Sequence, residues 1–342
     1  MLKIAKERLN ELYAKISETT PLVLPVKKAG EVNYGVWVAD AEVSVETLKT
    51  VKSPKDFFFP QSENLMKFKT DGKSIEVIDI RDEKQPTVLF GVRACDYKAI
   101  EVLDNVFLAD PVDSYYKARR DAITIVTMAC SKPEESCFCK AFGIDATAPQ
   151  GDVSTWMDGE NLYWQANTQK GEELTARVQA LFAEGGESEV ETQKAEVKAV
   201  IENLPFSNLD LTRFTSENLN ELFDAPEWAQ MSEACLGCGT CTFVCPTCQC
   251  FDVRDCKTNA GVIRYRCWDS CMYSDFTLMA HGNSRTTQMQ RFRQRFMHKL
   301  VYYPSQNDGL YSCVGCGRCV NKCPQKLNIV KVIKTLGGKN HD

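Results

Sequence analysis

The chain has 342 residues, 44 % of them hydrophobic and 25 % charged, with 41 basic against 46 acidic side chains and a formal charge of −5. Such a composition excludes wholesale disorder, and the acidic balance argues against a protein that grips a nucleic-acid backbone. At roughly 100–200 residues per domain, two domains are expected.

Residues 1–18 read as an amphipathic helix, because Leu2, Ala5, Leu9, Leu12 and Ile16 recur at spacings of three and four. Strand signals follow in LVLPV (22–26) and VNYGVWVAD (32–40). The pair Asp71–Gly72 predicts a hairpin between Met66–Lys69 and Ser74–Ile80, and Asp158–Gly159 predicts another between 153–157 and 161–165. TVLFGV (87–92) and AITIVTM (122–128) have the continuous apolar character of buried strands, with a helical stretch, Tyr97–Phe107, after the first. Residues 172–183 read as a helix, and Gly185–Gly186 with the charged stretch to about Ala199 reads as a surface connection. From about Phe206 strand signals vanish and short helices begin at caps such as Ser216, with Glu217 through Phe223 following. The expectation is an α+β protein: a mixed α/β domain over 1–205 and a helical, ferredoxin-like domain over 206–342.

Seventeen cysteines against three histidines is the abnormal number. Zinc and haem sites lean on histidine, whereas an inventory of thiols points to iron–sulfur clusters. An odd count leaves at least one thiol unpaired in any disulfide scheme, and a chain of this size can bury a core without such a frame. With no apolar run of membrane-span length and no signal-peptide h-region in MLKIAKERLNELYAKI, a cytoplasmic protein with metal-bound thiols is expected.

One motif occurs twice. CLGCGTCTFVCP supplies Cys235, Cys238, Cys241 and Cys245; CVGCGRCVNKCP supplies Cys313, Cys316, Cys319 and Cys323. Each is C-x2-C-x2-C-x3-C-P, the run of two-cluster ferredoxins, in which the fourth cysteine ligates the other cluster. One 4Fe–4S cluster is therefore expected on Cys235, Cys238, Cys241 and Cys323, and a second on Cys313, Cys316, Cys319 and Cys245. A pair of zinc ribbons would also use C-x2-C, but has no use for the third and fourth cysteines at these offsets. The long separation between Cys245 and Cys313 is filled by a helical pattern, with Met289, Phe292, Phe296 and Leu300 in an apolar stripe, which favours a helical dicluster domain over a compact β-type ferredoxin.

A further set of four lies earlier in the chain. Cys95 and Cys130 each follow one of the two buried strands, and parallel, adjacent strands would bring both thiols to one sheet edge; Cys137 and Cys139 in ESCFC can fold over them. These suit a third 4Fe–4S cluster, but Cys95 and Cys130 fit equally well as small core residues. Cys248, Cys250, Cys256, Cys267 and Cys271 remain; packing is the simplest role for them, a labile metal or contact with a partner's cofactor the other. Opposite the apolar stripe, Arg291, Arg295 and Lys299 share a helix face that could dock an acidic partner, steady negative clusters, or simply be solvated. His281 and His298 lack metal-ligand spacing. No dinucleotide fingerprint is present, and Gly72-Lys73-Ser74 lacks the upstream glycine of a P-loop, Lys67 standing there.

GVRACDYKAIEVLDNVF, a strand ending in AC, CFC, CLGCGTCTFVCPTCQCFDV, WDSC, RQRFMHKL and CVGCGRCVNKCP resemble, in that order, the A subunit of anaerobic sulfite reductase and the β subunit of soluble, sulfhydrogenase-type NiFe hydrogenases. The resemblance covers most of residues 85–330. It implies an electron-transfer subunit, itself non-catalytic, in a hetero-oligomer between a flavoprotein subunit that oxidises NAD(P)H and a terminal redox subunit, and it favours the third cluster on Cys95, Cys130, Cys137 and Cys139. Cys256 and Cys267 lie outside the family's pattern. No flavin, nucleic acid or membrane span is expected of this chain. Two alternatives of other classes are a catalytic reductase with a flavin or substrate site near Cys248, Cys250 and Cys271, and a structural cluster protein that transfers no electrons.

Overall fold

The computed structural model describes residues 1–81, 85–259 and 261–337. Ten strands open the chain: β1 (Leu2–Ala5), β2 (Leu22–Lys28), β3 (Glu31–Val36), β4 (Ser62–Asp71), β5 (Ser74–Asp79), β6 (Thr87–Val92), β7 (Ile123–Met128), β8 (Val153–Met157), β9 (Asn161–Ala166) and β10 (Ala183–Glu184). Eight of them form one sheet in the order β10-β1-β9-β8-β7-β6-β2-β3. Its centre, β2-β6-β7-β8, is parallel, and its margins are antiparallel. The continuous apolar run of β6 follows from burial on both faces. Val88 and Phe90 pack toward Leu12, Tyr13, Ile16 and Trp164, while Leu89 and Val92 pack toward Ile100, Leu103 and Phe107.

The second core gathers Trp228 with Phe292, Phe296 and Leu300 of the helical segment from Gln288 onward, and with the apolar face of the helix Ile329–Leu336. Asn328 caps that last helix by accepting from the Lys331 amide, and Thr287 opens the helix Gln288–Met297 with a capping box closed by Gln290. Burying each of these large side chains contributes about 1.5–3 kcal/mol. Among the described residues no helix is long and apolar enough to cross a membrane.

Several expectations from the sequence are corrected. Residues 1–18 are a strand, a 3-10 turn and only then a helix (Leu9–Ser17), because Leu2–Ala5 pairs with β9 and β10. The helix placed at 172–183 spans Gln169–Val178, capped by Thr168, and the chain then makes a 3-10 turn into β10. The charged stretch after Gly186 is a helix, Glu187–Glu202: Val190, Val197 and Ile201 line its buried side and its charges face outward. The helix after Ser216 runs only over Leu219–Phe223. Strands do not end at residue 206 either. β11 (Phe251–Thr258) and β12 (Gly261–Trp268) form a hairpin, and β12 pairs with β4 to give a second sheet, β11-β12-β4-β5. Both hairpins anticipated at Asp71–Gly72 and Asp158–Gly159 are present.

The second sheet is pinned to the helix Ser114–Ala122, which leads into β7. Arg266 of β12, 3 % exposed, donates from Nε to Glu63 of β4 at 2.7 Å and pairs with Asp113, while Glu63 also meets Arg119. Lone burial of any of these charges would be costly, so the network fixes this corner of the fold.

Candidate iron–sulfur centres

Strands β6 and β7 are adjacent and parallel, with Thr87 opposite Ile123 and Phe90 opposite Val126. Their carboxyl ends therefore carry the chain to the same edge. Cys95 sits in the first turn of the helix Ala94–Phe107, and Cys130 lies two residues beyond β7. The ESCFC loop closes over them: Cys95, Cys130, Cys137 and Cys139 line one small enclosed cavity, together with Lys49, Arg93, Cys316 and Arg318. Burial pushes the Cys130 thiol up to about 11 and the Cys139 thiol up to about 12, and raises Cys95 well above the ordinary thiol range. A metal cation is the natural agent to stabilise thiolates at such a site.

A second cavity is lined by Cys235, Cys238, Cys241 and Cys323, along with Met272, Phe292, Arg295 and Leu327. The fourth of these comes from the other copy of the motif, as the interleaved pattern requires. Cys323 accepts a hydrogen bond from the Leu327 amide at 3.2 Å, and Cys235 accepts one from Gln288 Nε2 at 3.4 Å, the kind of contact that steadies a ligating sulfur. Cys238 is exposed, and hydrogen bonding to the Thr240 side chain and backbone lowers its thiol below the ordinary value.

Between these two lie Cys313, Cys316, Cys319 and Cys245. Cys313 faces Cys319 and Cys245, and Cys316 faces the same two thiols. Burial pushes Cys316 up to about 12, with Arg318 pulling the other way. Cys95 faces Cys316 on one side and Cys241 faces Cys319 and Cys245 on the other. The three groups of four thus form a series, with the Cys313 group in the middle.

What holds the series together is the second motif itself. Gly315 has a positive φ of 59°, and a Cβ there would come within 2.4 Å of the Phe138 carbonyl group and 2.5 Å of the Cys139 nitrogen. The Phe138 amide donates to the Gly315 carbonyl at 2.9 Å. Arg318, which opens the short helix Arg318–Lys322 of the same motif, donates to both carboxylate oxygens of Asp96 at 2.5 and 2.8 Å and to the Thr50 carbonyl at 3.1 Å; Asp96 and Arg318 are 1 % and 4 % exposed. Nothing in the sequence analysis anticipates this bolt, because a charge pair 222 residues apart has no local pattern.

The remaining cysteines separate into two sets. Cys248 lies beside Cys245, and Cys250 beside Cys271, close against the same centres. Cys256 is exposed on β11 and Cys267 is half-buried on β12, and each stands opposite a non-cysteine, Ile263 and Asp252. The basic face of the 288–306 segment is not a solvated one: Arg295 and Lys299 are each 3 % exposed, and Lys299 donates to Thr247 Oγ1 at 2.8 Å and the Ser312 carbonyl at 2.9 Å.

These residues fit iron–sulfur cubes in donor chemistry and placement. Thiols line both cavities; in the Cys235 site an amide and a side-chain N–H point at sulfur and the other walls are largely apolar, while Lys49, Arg93 and Arg318 bring positive charge to the sheet-edge site. Among the described residues, no three histidine, cysteine or acidic side chains converge closely enough to hold a single ion. A cube, by contrast, takes its thiolates at separate corners, so a spread set of thiols suits it and not a zinc ribbon.

Comparison with known proteins agrees. Residues 234–327 match the family described as a 4Fe–4S dicluster domain. The chain is similar to the sulfhydrogenase 2 subunit beta of Pyrococcus furiosus, at 32 % identity over 338 residues, covering 97 % of each chain. No solved structure matches. With two independently spaced cysteine runs inside the matched domain and similarity along nearly the whole length, this chain belongs to the sulfhydrogenase β-subunit family and is an iron–sulfur protein.

Proposed function

We propose that the chain is the electron relay of a multi-subunit cytoplasmic oxidoreductase, non-catalytic in itself, passing electrons between a flavoprotein subunit that oxidises NAD(P)H and a terminal redox subunit. Its two parts would be an α/β domain to about residue 205 and a dicluster domain beyond it. Three 4Fe–4S clusters would be held by Cys95, Cys130, Cys137 and Cys139; by Cys313, Cys316, Cys319 and Cys245; and by Cys235, Cys238, Cys241 and Cys323. The observation that carries the reading is the serial arrangement of three thiol groups, two of them with buried members and one reaching the surface at Cys238.

When bound, the clusters supply one-electron oxidation and reduction, at potentials set by hydrogen bonding, charge and solvent exposure. The chain's residues do the rest. Gly315, Phe138 and the Asp96–Arg318 pair hold the sheet-edge site against the second motif. Gln288 and the Leu327 amide donate to ligand sulfurs, and burial of Cys130, Cys139 and Cys316 keeps water from two of the three sites.

Metal analysis of the purified chain tests this. We expect about 12 iron and 12 sulfide per chain, against about 8 of each if only the ferredoxin-type pair is real. Cys139→Ser should then remove one EPR signal and leave two. Persistence of every signal would refute the sheet-edge cluster. Flavin co-purifying with the isolated chain would favour a catalytic role instead.

A further inference from the structure

Arg295 is 3 % exposed, and its Nε is fully buried with no hydrogen-bond partner. Among the described residues its guanidinium makes no hydrogen bond and no ion pair; its one recorded contact is with the face of the neighbouring Phe296 ring, 4.4 Å from the centroid. A guanidinium cannot escape this by losing its proton. A permanent charge in an apolar interior with no anion beside it is among the most expensive arrangements a fold can hold. Yet Arg295 lines the cavity of Cys235, Cys238, Cys241 and Cys323, and its charge faces Cys241 and Cys319.

We propose that Arg295 is the counter-cation of the cluster bound by Cys235, Cys238, Cys241 and Cys323, and that it sets that cluster's reduction potential. The proposal rests on the ligand assignment given above. A cubane held by four thiolates is an anion, and each electron added makes it more so. A fixed, desolvated positive charge against it stabilises the reduced form more than the oxidised one and so raises the potential. Arg295 acts on the cluster through this field and is a tuning residue, not a ligand. The other two sites are built the same way: Lys299 faces Cys245 and Cys313, and Arg93 lines the sheet-edge cavity, donating only to carbonyls of Ala129, Val45 and Thr47. Neither has an ion-pair partner among the described residues. Arg295 is the barest of the three, and it serves the site that reaches the surface.

Redox-titrated EPR of the iron-loaded full chain, with iron counted per chain, tests this through Arg295→Met and Arg295→Lys. In Arg295→Met one signal should need a potential lower by 59 mV or more, a tenfold change in the oxidised-to-reduced ratio at fixed potential. The signal of the middle cluster, whose Cys319 also faces Arg295, should move less, the sheet-edge signal should stay in place, and Arg295→Lys should recover most of the shift. Loss of about four iron in Arg295→Met but not in Arg295→Lys would also support the role, since the charge would then be needed to hold the anion at all. A retained cluster at unchanged potential in Arg295→Met would overturn the proposal, as would loss of the cluster from both variants, which would make the side chain a matter of shape. Failure of the ligand assignment reads differently: Cys238→Ser would leave every signal of the unaltered chain intact.

Discussion

Replacing Asp96 with asparagine tests whether the second motif is bolted to the sheet-edge site by charge. The change keeps the shape of the side chain and removes its negative charge. Of the two short hydrogen bonds that Arg318 donates to Asp96, 2.5 and 2.8 Å, the asparagine's amide oxygen could accept only one, its NH2 would face the guanidinium as a second donor, and the Thr50 carbonyl at 3.1 Å and hydroxyl at 3.3 Å would remain. Both partners are at most 4 % exposed, so water cannot take over. Breaking such a pair from one side costs about 3–5 kcal/mol, because the other charge stays buried. At about 2 °C per kcal/mol for a large domain, the iron-loaded chain should melt roughly 6–10 °C lower. Thermal unfolding followed by far-UV circular dichroism, with bleaching of the visible absorbance recorded alongside, reads both the fold and the clusters. The double variant Asp96→Leu with Arg318→Met should regain most of the loss, since it removes both charges together. A single Asp96→Asn variant within 1 °C of the unaltered chain would refute the reasoning.

Gly315→Ala should cost about 3 kcal/mol or more and release iron from the sheet-edge site, because the added carbon meets the backbone of Phe138 and Cys139 at a positive φ; Gly30→Ala, with φ 82° and nothing within 4 Å, should cost only about 1 kcal/mol in urea titrations. His298 is pushed down to about 4 by burial, with Lys299 and Arg285 adding repulsion. Its folded value lies below the unfolded one near 6.5, so its neutral form is stable above that pH and stability falls as the pH drops from 6.5 toward 4. The loss is about 1.5 kcal/mol between pH 7.5 and 5.5, and His298→Gln should flatten this part of the urea-midpoint profile; an unchanged slope would exclude His298 as its source.

The sequence disclosed the chemistry better than it disclosed the architecture. Spacing alone paired Cys323 with the first cysteine run, and its place beside Cys235, Cys238 and Cys241 follows from two copies of one motif folding against each other. The run-on apolar strands ahead of Cys95 and Cys130 read as buried on both faces, and they do form the parallel, adjacent pair that was needed to bring the two thiols to one edge. The hairpin Phe251–Trp268 was illegible because its partner strand is far away in the chain and FDVRDCKT carries charge on half of its exposed positions. Helix Glu187–Glu202 was hidden by charge as well: three apolar side chains, Val190, Val197 and Ile201, suffice to seat sixteen residues. Burial of Arg295 and Lys299 cannot be read from a helical pattern, which marks a common face but not whether an anion waits opposite it.

Strand β12 meets β4 across about 200 positions of chain, Val262 lying opposite Phe68 and Cys267 opposite Ser62. During synthesis at roughly 5–20 residues per second, the hairpin of β4 and β5 would leave the ribosome roughly 10–40 seconds before the strand that covers its free edge. Through that interval an unpaired border with Glu63 already inside it is open to any other nascent strand. Heterologous expression of this chain should therefore be limited less by iron supply at first than by how long that border stays bare, and slower growth at lower temperature with abundant chaperone is the condition that favours its recovery.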